Sequence, residues 1–135
     1  MTTFSSSKYG DIYFSPKEPE AEKQFVFIQA NRIAERILTC ETFTIAELGF
    51  GFGLNCALTL RAAKQVSRLH KLRYFSVDEK LPEKSEIDSL GNSLKVCASE
   101  YADLHSRNPT ELENANIFVA ETGVDEFLDH AAFSA

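Results

Sequence analysis

The residues best equipped for chemistry are Glu47-Leu48-Gly49-Phe50-Gly51-Phe52-Gly53, an acid followed by three glycines at alternate positions. Glycine accepts positive φ and lets a ligand lie directly on the backbone. A helix beginning just after such a turn aims unpaired N–H groups into the same space. The carboxylate two positions before the first glycine favours a cationic ligand there, such as the ammonium on the methionyl end of S-adenosylmethionine. The competing pattern is the Gly-x-Gly-x-x-Gly turn that cradles a dinucleotide pyrophosphate. Gly51-x-Gly53-x-x-Cys56 matches it only if Cys56 replaces the last glycine. Methyl-donor binding through Glu47, Gly49, Gly51 and Gly53 is therefore the preferred expectation, with a nicotinamide-dependent oxidoreductase as the weaker alternative.

Two further acids fit the same ligand. Asp78 closes an apolar run, and in open parallel sheets ligands sit beyond the carboxyl ends of the strands, where an acid can accept both ribose hydroxyls of an adenosine. Asp78 is the candidate and Glu79 its fallback. Glu121 follows a later strand-like run and is expected near the adenine. Either acid alone would read as an ordinary loop residue, and it is the glycine run that gives them meaning. Phe50 and Phe52 receive no role. His70, His105 and His130 lack metal-ligand spacing and are expected to be exposed, and no metal is expected. No nucleophile elbow or paired-carboxylate hydrolase signature is present, and no catalytic base is assigned.

These residues need elements to place them. Thr42 to Leu48 is short, rich in β-branched residues and ends on glycine, which predicts a buried parallel strand. Leu54 to Leu69 repeats apolar residues at Leu54, Leu58, Ala62 and Val66, predicting a helix packed on the sheet. Leu72 to Asp78 predicts a second strand, Lys84 to His105 a helix broken near Gly91, and Asn116 to Ala120 a third strand. Thr122 and Asp125 resemble a cap for a last short helix, Val124 to Ala132. The alternation of strand and helix predicts an α/β fold with a parallel sheet of about three strands and flanking helices. Upstream, residues 1–8 read as a disordered lead-in and Tyr9 to Ser15 as a strand-like arm. The acidic stretch Glu18 to Glu22 reads as a solvated loop, and Gln24 to Leu38 as a helix. The expected division is an arm and helix over 9–41 and a ligand-binding half-sheet over 42–135.

Bulk properties bound the function. At 135 residues and 44% apolar composition the chain suits one soluble domain, and no apolar run approaches the length needed to span a membrane. Cys40, Cys56 and Cys97 fit neither a disulfide framework nor a zinc pattern, so free thiols and a cytoplasmic address are expected. A net charge of −6 argues against a surface that binds polynucleotide phosphates unaided.

Three segments carry a resemblance to a known family: Tyr9-Gly10-Asp11-Ile12-Tyr13-Phe14-Ser15, Val26-Phe27-Ile28-Gln29-Ala30-Asn31-Arg32-Ile33-Ala34-Glu35-Arg36, and Glu47 through Asn55. Together with the looser Tyr74-Phe75-Ser76-Val77-Asp78, they resemble the methyltransferase domain of the bacterial bifunctional enzyme that modifies the tRNA wobble uridine (MnmC type). The resemblance implies a Rossmann-like class I methyltransferase fold, of which this chain carries the N-terminal half. It also implies S-adenosyl-L-methionine as cofactor, tRNA as partner of the complete enzyme, and methyl transfer to the exocyclic amine of 5-aminomethyl-2-thiouridine. Two departures stand out: Phe52 occupies a position where the family commonly has Thr, and the family's Asp-x-x-Phe-x-x-Asp-Gly-Phe-like acceptor segment has no counterpart before Ala135. A half-sheet ending on its third strand would leave that strand at an edge, open to self-association. A non-catalytic remnant or interaction module is accordingly the alternative to an enzyme.

Overall fold

The computed structural model describes residues 19–29, 31–39, 41–65 and 71–126. The lead-in, the Tyr9 to Ser15 arm, Cys40, His70 and His130 lie outside the described residues. Four strands form one sheet in the order β1-β2-β4-β3, with β1 at Thr42–Leu48, β2 at Lys71–Asp78, β3 at Thr110–Leu112 and β4 at Ala115–Glu121. β1 with β2 and β2 with β4 are parallel, whereas β3 and β4 form an antiparallel hairpin. The α/β expectation with three parallel strands therefore holds, with a short fourth strand added.

The strand alternation explains the core. Phe43 and Glu47 of β1, Leu72, Tyr74 and Ser76 of β2, and Ala115, Ile117 and Val119 of β4 turn to one face and are buried. Helix α3, Leu54–Lys64, covers that face with Leu54, Cys56, Ala57, Leu58 and Leu60, joined by Tyr101 and Leu104 of α5, Ala98–Ser106. Lys64 Nζ reaches Glu100 Oε2 at 3.0 Å and ties the two helices together. On the opposite face Leu48 and Phe118 stand 61% and 45% exposed.

The expected helix over Gln24 to Leu38 is divided. A short α1, Pro19–Lys23, runs into a π-helical turn, Gln24–Gln29, and α2 resumes at Ile33–Leu38. Arg32, at φ +54°, breaks the path between them in a conformation that few side chains adopt. Ile28, Ile33 and Ile37 all reach the core despite the break, so the spacing that predicted one helix was reporting burial rather than continuity.

The break between α4, Lys84–Ser93, and α5 falls at Leu94 to Cys97 rather than at Gly91. Gly91 stays helical because the Tyr101 ring packs on it: an added Cβ would sit 3.2 Å from Tyr101 Cε1. Tyr101 Oη also donates to Ile87 O at 2.9 Å, fastening α5 to α4. At the other end of the chain, residues 124–126 are helical, and the remainder of the expected last helix lies outside the described residues.

The expectation that the third parallel strand lies at an edge is also corrected, because β4 has β2 on one side and β3 on the other. β3 pairs only as far as Ile117. Beyond it the Asn108 side chain takes over, donating Nδ2 to Val119 O at 2.6 Å and accepting Val119 N–H on Oδ1 at 3.1 Å. One amide thus replaces a missing strand residue. Asn108→Ala should cost about 1–3 kcal/mol, since both backbone groups of a buried residue lose their partners. Urea unfolding together with faster amide exchange at Val119 would register the loss.

Candidate functional site

The glycine turn is docked on the end of β2. Gly49 N and Phe50 N both donate to Val77 O, at 2.8 and 3.0 Å, and Gly51 N donates to Asp78 Oδ2 at 2.8 Å. Three positive φ angles, +103° at Gly49, +58° at Gly51 and +86° at Gly53, make this path available. Gly53 is doubly constrained, because a Cβ there would fall 2.5 Å from Phe50 Cζ. At Gly49, by contrast, a Cβ would meet nothing within 4 Å, so the outer side of the turn is open. Phe50 and Phe52 are buried at 6% and 2%, packed under the turn.

His105 is a correction to the expectation of exposure. It is half-buried, its Nε2 lies 2.7 Å from Phe52 O, and its ring packs against Tyr101 with centroids 4.4 Å apart and planes tilted by 59°. Burial lowers its pKa, so the neutral ring with a proton on Nε2 is the form that donates to this carbonyl. The effect is to pin the glycine turn from α5.

Glu47 lies opposite Ser76 in the β1–β2 register and faces the helices. Only 8% exposed, it accepts Ser76 Oγ on Oε1 at 2.8 Å and Asn55 Nδ2 on Oε2 at 3.0 Å. Asn55 comes from the first turn of α3, which Gly53 starts without any side-chain cap. The carboxylate is therefore already engaged within the protein, and Asn55 stands between it and the pocket. Asn55 Oδ1 is buried with no hydrogen-bond partner, and Tyr74 Oη beside the same carboxylate makes no hydrogen bond of ordinary length. Burial outweighs these donors and pushes the Glu47 carboxyl up.

The other predicted acids gather at the neighbouring strand ends. Asp78 and Glu121 are register partners on β2 and β4, and Thr122 N donates to Asp78 O at 2.9 Å. Glu121 Oε2 accepts Leu81 N at 2.7 Å and lines an open cleft with Glu79 and Lys80. Two smaller pockets share the wall Phe50–Gly51. One, of about 60 Å³, is lined by Gly49, Leu54, Asn55 and Lys23 of α1; the other, of about 180 Å³, by Leu81, Pro82, Ile87 and Val119. Glu47, the glycines, Asp78 and Glu121 are thus brought to one end of the sheet.

Sequence reasoning missed Asn55, Ser76 and Lys23. Asn55 carried a usable signal, being the second residue after the last glycine and so in the turn that looks back at the strand. Ser76, a small polar residue midway along an apolar strand opposite Glu47, carried another. Nothing in the sequence marked Lys23. The buried thiols Cys56 and Cys97 are free, with Cys97 pushed up to about 12 by burial and by Glu20, so neither is a thiolate nucleophile at neutral pH. Among the described residues, no cluster of His, Cys, Asp or Glu could hold a metal ion.

No family model matches the chain. It is 41% identical over 78 residues to the tRNA 5-methylaminomethyl-2-thiouridine biosynthesis bifunctional protein MnmC of Nitrosospira multiformis, a match covering 55% of this chain and 13% of that protein. The namesake from Hahella chejuensis is 49% identical over 53 residues, covering 37% of this chain and 8% of that protein. The crystal structure of MNMC2 from Aquifex aeolicus superposes with a TM-score of 0.77 at 20% identity, over 98% of this chain and 43% of that one. The resemblance to MnmC-type proteins is borne out, and the chain matches only about an eighth of the length of such a bifunctional relative. The shared fold is an open, mostly parallel sheet with flanking helices.

A pH test follows from Glu47. Because its folded-state pKa is raised, the folded protein holds this proton more tightly than the unfolded chain. The stabilisation is complete below the ordinary carboxylate range and is lost as pH rises through the folded value. Urea unfolding across mildly acidic to neutral pH should show this decline in the wild type and a flatter profile in Glu47→Gln.

Proposed function

We propose that this MnmC-type chain holds the donor-binding half of an S-adenosylmethionine-dependent methyltransferase that modifies the wobble uridine of tRNA. The observation that carries this reading is Asn55, which lines the pocket beside the glycine turn, donates Nδ2 to the Glu47 carboxylate and holds a buried Oδ1 without a partner. A buried acceptor near a negative charge is unfavourable alone and is satisfied by an ammonium group. The residues therefore fit the proposed cofactor. Asn55 and Glu47 would receive its ammonium, the glycine turn would carry its amino-acid end, and Asp78 and Glu121 would hold the nucleoside.

Asp78 has a double task in this arrangement. One oxygen holds Gly51 N–H and thereby fixes the turn, leaving the other to accept a ribose hydroxyl. The Glu47 carboxylate before the turn would repel a dinucleotide pyrophosphate, which weighs against nicotinamide binding, whereas an acid at the end of β2 suits the ribose of either ligand. The chemistry that bound S-adenosylmethionine supplies is an activated methyl group. What remains for the protein is to orient the acceptor amine and remove its proton. No described residue is assigned that proton.

The tRNA reading rests on the relatives' names and the sequence resemblance, and with a net charge of −6 the phosphate-binding surface would be supplied by further protein. No described helix is long and apolar enough to cross a membrane, and the proposed address is the cytoplasm. Calorimetry with S-adenosylhomocysteine is the direct test. Binding should be measurable in the wild type and weaken about tenfold or more in Asp78→Ala and Gly51→Val, the loss expected when a charged hydrogen bond or the turn itself is removed. A folded wild-type chain that shows no binding would overturn the reading.

A second reading, self-association, is favoured by one observation: β1 has a partner on only one side among the described residues and ends in the exposed Leu48. Sedimentation over a concentration series should show dimer formation, reduced by a Thr44→Lys change on that strand. A concentration-independent monomer would dismiss it.

A further inference from the structure

Glu20 departs from the solvated acidic loop that the sequence predicts. Its Oε1 accepts Lys95 N at 2.8 Å, and its Oε2 accepts Val96 N at 2.7 Å and Cys97 N at 2.8 Å. Three successive N–H groups at the break between α4 and α5 are thus satisfied by one carboxylate seventy-five or more residues away. These bonds draw its pKa down although burial opposes them. The contact fixes α1 against the body of the protein.

Three residues further along the same short helix, close to one turn away, is Lys23. Lys23 lines the pocket beside Gly49 and Asn55, and its positive charge favours the ionised form of Glu47. The pocket lining therefore combines a cation from α1 with Asn55, whose amide meets the Glu47 carboxylate. A single charge on the ligand would leave one of these unmatched. A zwitterion matches both.

We propose that Lys23 receives the carboxylate of an α-amino-acid end group while Asn55 and Glu47 receive its ammonium, and that Glu20 is the positioning residue that holds Lys23 there. This deepens the donor-binding reading and rests on it. The pocket would then select adenosyl ligands that retain the amino-acid tail over those that have lost it. Without a ligand, Lys23 serves as the counter-charge of Glu47.

Titration of the full chain with two probes separates the possibilities: S-adenosylhomocysteine, which has the amino-acid tail, and 5′-methylthioadenosine, which lacks it. Lys23→Met and Glu20→Gln should each weaken S-adenosylhomocysteine about tenfold, the size expected for one charged hydrogen bond, and leave 5′-methylthioadenosine within about twofold. Lys23→Arg should recover most of the tail-dependent affinity. Unchanged 5′-methylthioadenosine binding also certifies that each variant is folded. Equal losses for both probes, or no loss for either, would overturn the roles of Lys23 and Glu20 while leaving donor binding intact. A folded wild-type chain that binds neither probe would overturn the donor reading and this one together.

Discussion

Everything at the carboxyl end of the parallel strands depends on docking the glycine turn onto the end of β2. Val77 O receives two N–H groups and Asp78 a third, so the turn is held by a strand distant in sequence as well as by its own bond from Gly53 N to Phe50 O. Only left-handed glycine conformations deliver those N–H groups to that place. From the docked turn follow the start of α3, the position of Asn55, the enclosure of Glu47 and the two pockets along Phe50–Gly51. His105 then secures the turn from the opposite side.

In the proposed reading Glu47 serves structure and ligand binding together. Its partners Ser76 and Asn55 keep it tolerable in a place with little water, yet they do not complete the chamber, because Asn55 Oδ1 has no partner and Tyr74 Oη makes no hydrogen bond of ordinary length. A fully satisfied network would be a finished piece of core. An unfinished one, at a residue that lines the pocket beside the glycine turn, is the ground of the proposed cation-binding role.

The sequence was most readable where a local rule acts alone. Alternating glycines, the acid before them and the acid after β2 were found because the backbone needs glycine at positive φ and strands end in polar turns. The parallel order of β1, β2 and β4 followed from the strand–helix alternation. Readings failed where a distant partner overrides the local signal. Gly91 reads as a helix breaker until the Tyr101 ring is placed upon it, while Leu94 to Cys97 reads as helix until Glu20 captures its N–H groups. Asn108, standing in as a strand partner for Val119, has no sequence pattern at all. An acceptor site could be anticipated only through the family resemblance, and no described residue is assigned the role of base.

The bond between Glu20 and the Lys95–Cys97 corner also sets a hierarchy of opening. The core side chains Ile28, Ile33 and Ile37 anchor the segments that follow, whereas α1 depends on polar contacts near the surface. Release of α1 alone would break the three Glu20 bonds and leave the pairing of the four strands in place.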